Sequence, residues 1–150
     1  MNTDYIEKRI ELKAPIARVW RALTDHVEFG QWFRVKLEGP FVVGQTSRGR
    51  ITYPGYEHLP WEAVVQNMDH ERLFSYTWPH IDEKQTDSSE APWTLVEFRV
   101  SPNASGGTLL VIRESGFDKL PADKRAEAYR GNEGGWTEQM KNIEHHVAQG

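Results

Sequence analysis

Toward the C-terminal end of the chain, Ala126, Tyr129, Trp136, Met140, Ile143 and Val147 recur at helical spacing, on one face of a helix between Leu120 and Gly150. Glu133 fills the skipped position of that seam, while Lys124, Glu127, Glu138, Lys141 and Gln149 lie opposite. A helix with such a stripe buries it against a large partner. Gly131, Gly134 and Gly135 stand at its centre, and each mid-helix glycine costs about 1 kcal/mol relative to alanine. The spacing therefore predicts a break between a helix over residues 121–130 and another over residues 135–147. The same gap makes room for a ligand between helix and partner.

Upstream, the pattern switches to alternation. Ile6, Ile10 and Leu12 face one way and Glu7, Arg9 and Glu11 the other, which reads as a half-buried strand. Ala14-Pro15 ends it, and Pro15 suits the first turn of a helix carrying Ile16, Val19, Trp20 and Leu23. Thr24 or Asp25 caps a second short helix running to Trp32-Phe33. Six further strands are expected over residues 35–38, 46–53, 61–68, 73–78, 93–100 and 108–113, punctuated by Gly, Pro and Asn turns. Such a succession favours an antiparallel meander. Phe74, Tyr76 and Trp78 share one face of their strand; Thr94, Val96, Phe98 and Val100 share one of theirs; Leu110 and Ile112 share parity with Glu114. The polar stretch 80–91 reads as a mobile loop. The whole, residues 1–150 as a single domain, is an α+β architecture: a curved antiparallel sheet of about seven strands around a long C-terminal helix, with two short helices after the first strand. A cavity is expected where helix and sheet diverge.

Composition narrows the function classes. Six Trp, five Tyr and six Phe in 150 residues are enough ring surface to line a pocket as well as fill a core. The net charge of −4 comes without a basic run, which argues against nucleic acid. No segment approaches the ~18 apolar residues of a membrane span, and the N-terminus enters a strand directly, so a cytoplasmic location is expected. Without cysteine there is neither disulfide nor thiolate chemistry. Asn103-Ala104-Ser105 reads as turn chemistry before Gly106-Gly107.

Three local patterns spanning nearly the whole chain carry a resemblance. The first is Ile10-Glu11-Leu12-Lys13-Ala14-Pro15 with Val19-Trp20-Arg21-Ala22-Leu23-Thr24 and then Trp32-Phe33. The second is Glu71-Arg72-Leu73-Phe74-Ser75-Tyr76-Thr77-Trp78, and the third runs from Gly107-Thr108-Leu109-Leu110 to Glu114-Ser115-Gly116-Phe117, closed by Gly135-Trp136. In order and spacing they resemble the homologues of the activator of the heat-shock protein 90 ATPase, in their C-terminal-domain type. That family belongs to the START-like, or SRPBCC, superfamily, whose members share the helix-grip fold. The resemblance implies this fold and its cavity. It does not select one function, because the superfamily includes lipid carriers, hormone receptors and polyketide cyclases.

Glu114 stands first among residues able to do chemistry. Strand alternation turns it inward with Leu110 and Ile112, and a carboxylate near apolar surface is expected to have a raised pKa. The plainer alternative is an ion pair with Arg48, Arg50 or Arg113. Glu133 faces the same choice from the helix side, and His80 and His58 are the histidines near strand ends. Convergence of Glu114, Glu133 and a histidine would allow acid–base catalysis. Metal and nucleotide templates are absent: adjacent His145 and His146 point about 100° apart on a helix, and no phosphate loop occurs. No metal or other cofactor is expected.

The leading expectation is binding of a mostly apolar molecule, lipid-like or aromatic, between the terminal helix and the sheet. Phe74, Tyr76, Trp78, Phe98, Leu110, Ile112, Tyr129, Trp136 and Met140 would form the walls, Trp32 and Phe33 would close one end, and Glu114 and Glu133 would anchor polar groups. A cyclase- or hydrolase-like enzyme using Glu114 with His80 or His58 is the second reading. Modulation of a chaperone, the partner that the family name suggests, is the third. A homodimer stays open.

Overall fold

The computed structural model describes residues 5–80 and 92–149; the loop expected over residues 80–91 lies, beyond His80, outside them. Strand β1 spans Tyr5–Leu12, and helices α1 and α2 span Ile16–Thr24 and His26–Phe33. Six strands follow: β2 (Val35–Leu37), β3 (Thr46–Ile51), β4 (Pro60–Asp69), β5 (Leu73–Pro79), β6 (Trp93–Pro102) and β7 (Thr108–Ser115). A 3-10 turn at Phe117–Lys119 leads into α3, Ala122–Ala148. All seven strands form one open antiparallel sheet in the order β1-β7-β6-β5-β4-β3-β2. Because β1 and β2 occupy opposite edges, α1 and α2 connect them from one side of the sheet to the other.

Local chemistry explains the helix boundaries. The Asp25 carboxylate accepts from the backbone N–H groups of Val27 and Glu28 at 3.0 and 3.1 Å and so caps α2. Thr24 instead turns its hydroxyl back onto the Trp20 carbonyl. At the far end of α2, Arg34 adopts the left-handed conformation, φ 72°, and its N–H reaches the Gly30 carbonyl. Asn103 Oδ1 accepts from the N–H groups of Ser105 and Gly107, closing the β6–β7 turn.

Alternation sorts most of the sheet, Ser75 of β5 being buried despite its opposite parity. Thr108, Leu110, Ile112 and Glu114 of β7 are buried together, and Phe74 and Tyr76 of β5 join Thr94, Val96, Phe98 and Val100 of β6 on the same inner face. Phe29 of α2 enters this core fully buried, its ring 4.8 Å from Phe33 and 5.0 Å from Trp32. Trp136, Met140, Ile143 and Val147 of α3 close it. A polar tie fastens the helices to one another. Glu28 of α2 accepts from Arg18 Nη1 (2.6 Å) and Arg21 Nε (2.7 Å) of α1, and its Oε1 meets His146 Nε2 of α3 at 3.0 Å.

Two helical expectations need correction. The glycines do not break the helix: α3 runs unbroken for 27 residues. Glycine lowers helix propensity without removing a backbone hydrogen bond, and the apolar positions on either side hold both halves of α3 to one core. Ala126 is exposed rather than part of the stripe, and Ala128 packs against the core instead. Seven residues separate Ala126 from Glu133, so both fall on the same flank, just past the buried arc.

Gly134 lies mid-helix with nothing within 4 Å of where a Cβ would stand. Gly134→Ala should therefore stabilise the protein by about 0.5–1 kcal/mol, raising the melting temperature by roughly 2–4 °C per kcal/mol. Thermal unfolding followed by circular dichroism checks this.

Candidate functional site

Alternation along β7 carries the Glu114 side chain fully inside, at 0% exposure. Burying a carboxylate without partners is prohibitive, and here five side chains among the described residues serve it from three directions. Trp78 Nε1 of β5 donates to Oε2 at 2.8 Å, Thr94 Oγ1 of β6 at 2.6 Å, and His80 Nε2, just past β5, lies 3.1 Å away. From α3, Trp136 Nε1 donates to Oε1 at 2.9 Å and Asn132 Nδ2 spans both oxygens at 2.9 and 3.1 Å. Thr94 gives its proton to Glu114, so His80 Nε2, 2.7 Å from the same hydroxyl, carries the hydrogen in that contact.

These donors reverse the expected electrostatics. Burial pushes the Glu114 pKa up, but the hydrogen bonds from His80, Thr94, Trp78 and Trp136 outweigh it and hold the carboxyl below its ordinary 4.5. A raised value had been expected from apolar surroundings alone. Nor does Glu114 pair with Arg48, Arg50 or Arg113. Arg113 points the other way along β7, its guanidinium 4.2 Å from the centre of the Tyr5 ring.

Beside this carboxylate a pocket of about 140 Å³ opens between α3 and the sheet, lined by Phe33, Trp78, Gly131, Asn132, Gly135, Trp136 and Gln139. Trp78 and Trp136 stack at 5.6 Å with their planes 26° apart, and Phe33 stands 6.1 Å from each. Gln139 Nε2 donates to the Phe33 carbonyl at 2.9 Å, tying the end of α2 to α3. The walls are aromatic, and the polar groups at the rim are neutral amides.

Of the residues expected to line a site, Phe33, Trp78 and Trp136 do so. Phe74, Tyr76, Phe98, Leu110, Ile112 and Met140 are packed into the core, where rings fill most of the hollow expected there. Trp32 is buried, donates Nε1 to the Ala22 carbonyl at 2.8 Å, and lines a separate opening between α2 and α3 rather than the pocket beside Glu114. Tyr129 packs on Phe117 at 5.5 Å. Glu133 is exposed and no anchor, because one helical residue, about 100°, separates it from Asn132, which faces Glu114. His58 is exposed, with its carbonyl 3.5 Å from Arg50 Nη1. Thus Glu114 and His80 come together, while Glu133 and His58 stay apart from them.

Asn132, Thr94 and Gln139 were missed, whereas Gly131 and Gly135, where the sequence leaves room for a ligand, both line the pocket. Thr94 had a signal, since it shares parity with Val96 and Phe98. Asn132 had one too, four residues before Trp136 and so on the same helical face. Among the described residues, no group of three or more His, Asp or Glu is placed to hold a metal ion, and no helix is long and apolar enough to cross a membrane.

An open seven-stranded antiparallel sheet holding a long C-terminal helix, with two short helices after the first strand, is the helix-grip fold of START-like proteins. Within that class, the chain belongs to the family described as Activator of Hsp90 ATPase homolog 1-like protein, whose model matches residues 13–148. No curated protein matches its sequence. Among solved structures, the protein MLL2253 of Mesorhizobium loti superposes with a TM-score of 0.77 at 23% identity, over 97% of either chain. A protein of Arthrobacter aurescens gives 0.80 at 16% identity, over 100% of this chain and 90% of its own. DynU16, described as a protein in the dynemicin biosynthetic locus, gives 0.73 at 18% identity, over 97% of this chain and 47% of its own. At such identities the likeness establishes the fold alone.

Glu114→Gln places an amide NH₂ among donors and should destabilise the protein by roughly 2–4 kcal/mol at neutral pH, as buried donors lose their acceptor. A carboxyl whose folded pKa is depressed stabilises the fold above its unfolded value and loses that contribution as the pH falls through the folded one. The stability gap between wild type and Glu114→Gln should therefore shrink as the pH drops below the ordinary 4.5. Urea titrations across that range measure it.

Proposed function

We propose that this protein binds a small, mostly apolar molecule in the pocket between α3 and the sheet. One observation carries the reading: Gly131 and Gly135 line the pocket, and neither has an atom within 4 Å of where a Cβ would stand. Packing gives no reason for two glycines that each cost the helix up to about 1 kcal/mol. Access does, because side chains there would project over the mouth. The aromatic walls of Phe33, Trp78 and Trp136 suit a flat apolar ring, and a cavity of this size has room for one.

The enzyme alternative finds less support. Both Glu114 oxygens are engaged by donors and the side chain is sealed from solvent, so it is poorly placed to exchange a proton with a substrate. The chaperone alternative rests on the family description alone, and no feature of this pocket favours it.

Toluene, titrated into the purified protein, should change the emission of Trp78 and Trp136 and raise the melting temperature. Gly131→Leu and Gly135→Leu should weaken toluene binding by at least about tenfold while leaving the melting temperature no lower than that of wild type. Unchanged affinity in both variants would remove the pocket from consideration.

A further inference from the structure

Beside the rings of the pocket wall lie two buried donors. The Tyr76 hydroxyl, on a fully buried side chain, and Trp61 Nε1, on a side chain 7% exposed, have no hydrogen-bond partner among the described residues. Buried groups of this kind are rare and costly in a folded protein. The two rings meet edge to face at 5.7 Å. Tyr76 touches Trp78 at 5.4 Å and Trp61 touches Phe33 at 6.0 Å, so both donors adjoin rings that line the pocket. Phe33 ends α2 immediately before the left-handed Arg34. Its ring lines the pocket on one hand and meets Trp61 on the other.

Both members of the pair have a proton to give, and Trp61 can do nothing else. Indole N–H only donates, and burial, followed by the nearby charge of Glu114, pushes the Tyr76 hydroxyl's pKa well above its ordinary value, so it also keeps its proton. An incoming group must therefore accept. It must also be uncharged: Glu114 is an anion with no Lys or Arg among its hydrogen-bond partners in the described residues, and a second negative charge in this interior would meet repulsion at low dielectric. Carboxylates, fatty acids included, are excluded on that ground.

We propose that the site takes a neutral one-ring aromatic molecule bearing a hydrogen-bond acceptor, such as a carbonyl oxygen, which turns the Phe33 ring aside and is received by the Tyr76 hydroxyl and Trp61 Nε1–H. This rests on the small-molecule reading above and narrows it. A polar site rejects a ligand lacking the matching group more sharply than an apolar site rejects a wrong shape.

The test is calorimetric titration of the whole protein with acetophenone, with α-methylstyrene, which has the same shape but a CH₂ in place of the oxygen, and with benzoate. Acetophenone should bind roughly tenfold more tightly than α-methylstyrene, as expected for one or two neutral hydrogen bonds, and benzoate should bind most weakly. Tyr76→Phe and Trp61→Phe should each cut the acetophenone to α-methylstyrene ratio to about threefold or less; if either fails to fold, the other carries the test. Equal affinities for acetophenone and α-methylstyrene in wild type, or a preference for benzoate, would overturn the acceptor site while leaving the pocket's binding role intact. Binding of none of the three, nor of toluene, would overturn both.

Discussion

A single buried anion sets the relation between helix and sheet. Glu114 draws hydrogen bonds from β5, from the residue just past it, from β6 and from two positions on α3. A carboxylate in apolar surroundings tolerates no missing partner, so α3 cannot shift by a residue or rotate without exposing that charge to an unmet demand. Apolar packing alone is less particular, because rings slide over one another at little expense. Trp78 and Trp136 serve both needs, giving their N–H groups to the carboxylate and their rings to the pocket.

Against that fixed point the interior is largely filled. Phe29, Phe74, Tyr76 and Phe98 form a continuous ring cluster, each contact adding about 0.5–1.5 kcal/mol beyond the area it buries. What a helix-grip protein leaves open is the difference between the separation of helix and sheet and the bulk of the side chains between them. Here one opening lies at the glycine segment of α3, where Gly131 and Gly135 contribute only backbone beside Asn132, Trp136 and Gln139. Weak helix propensity and an open pocket are two consequences of the same residues.

Much of this was readable from the chain. Period-2 alternation in β7 ties Glu114 to Leu110 and Ile112, and a strand that buries one face has no other register available. The helical stripe at Trp136, Met140, Ile143 and Val147 is equally firm. Harder was the choice between Asn132 and Glu133: a seam defined by apolar residues leaves its polar position uncertain by one residue, and one residue turns the side chain by about 100°. The sign of the Glu114 pKa shift was out of reach for a different reason. Burial and hydrogen bonding oppose each other, and the second depends on donors as far away in sequence as Trp78 and Trp136.

By itself, then, the sequence determined the order of elements, the antiparallel meander, the inward face of each strand and the family, because periodicity and turn chemistry are local and repeat many times. Tertiary structure alone decided that α3 stays whole through its glycines, that the core is filled where a hollow was expected, and that Glu114 is held as an anion. Those outcomes depend on how residues distant in the chain meet, on the volume left between them and on the number of donors they bring, and no local pattern records either quantity.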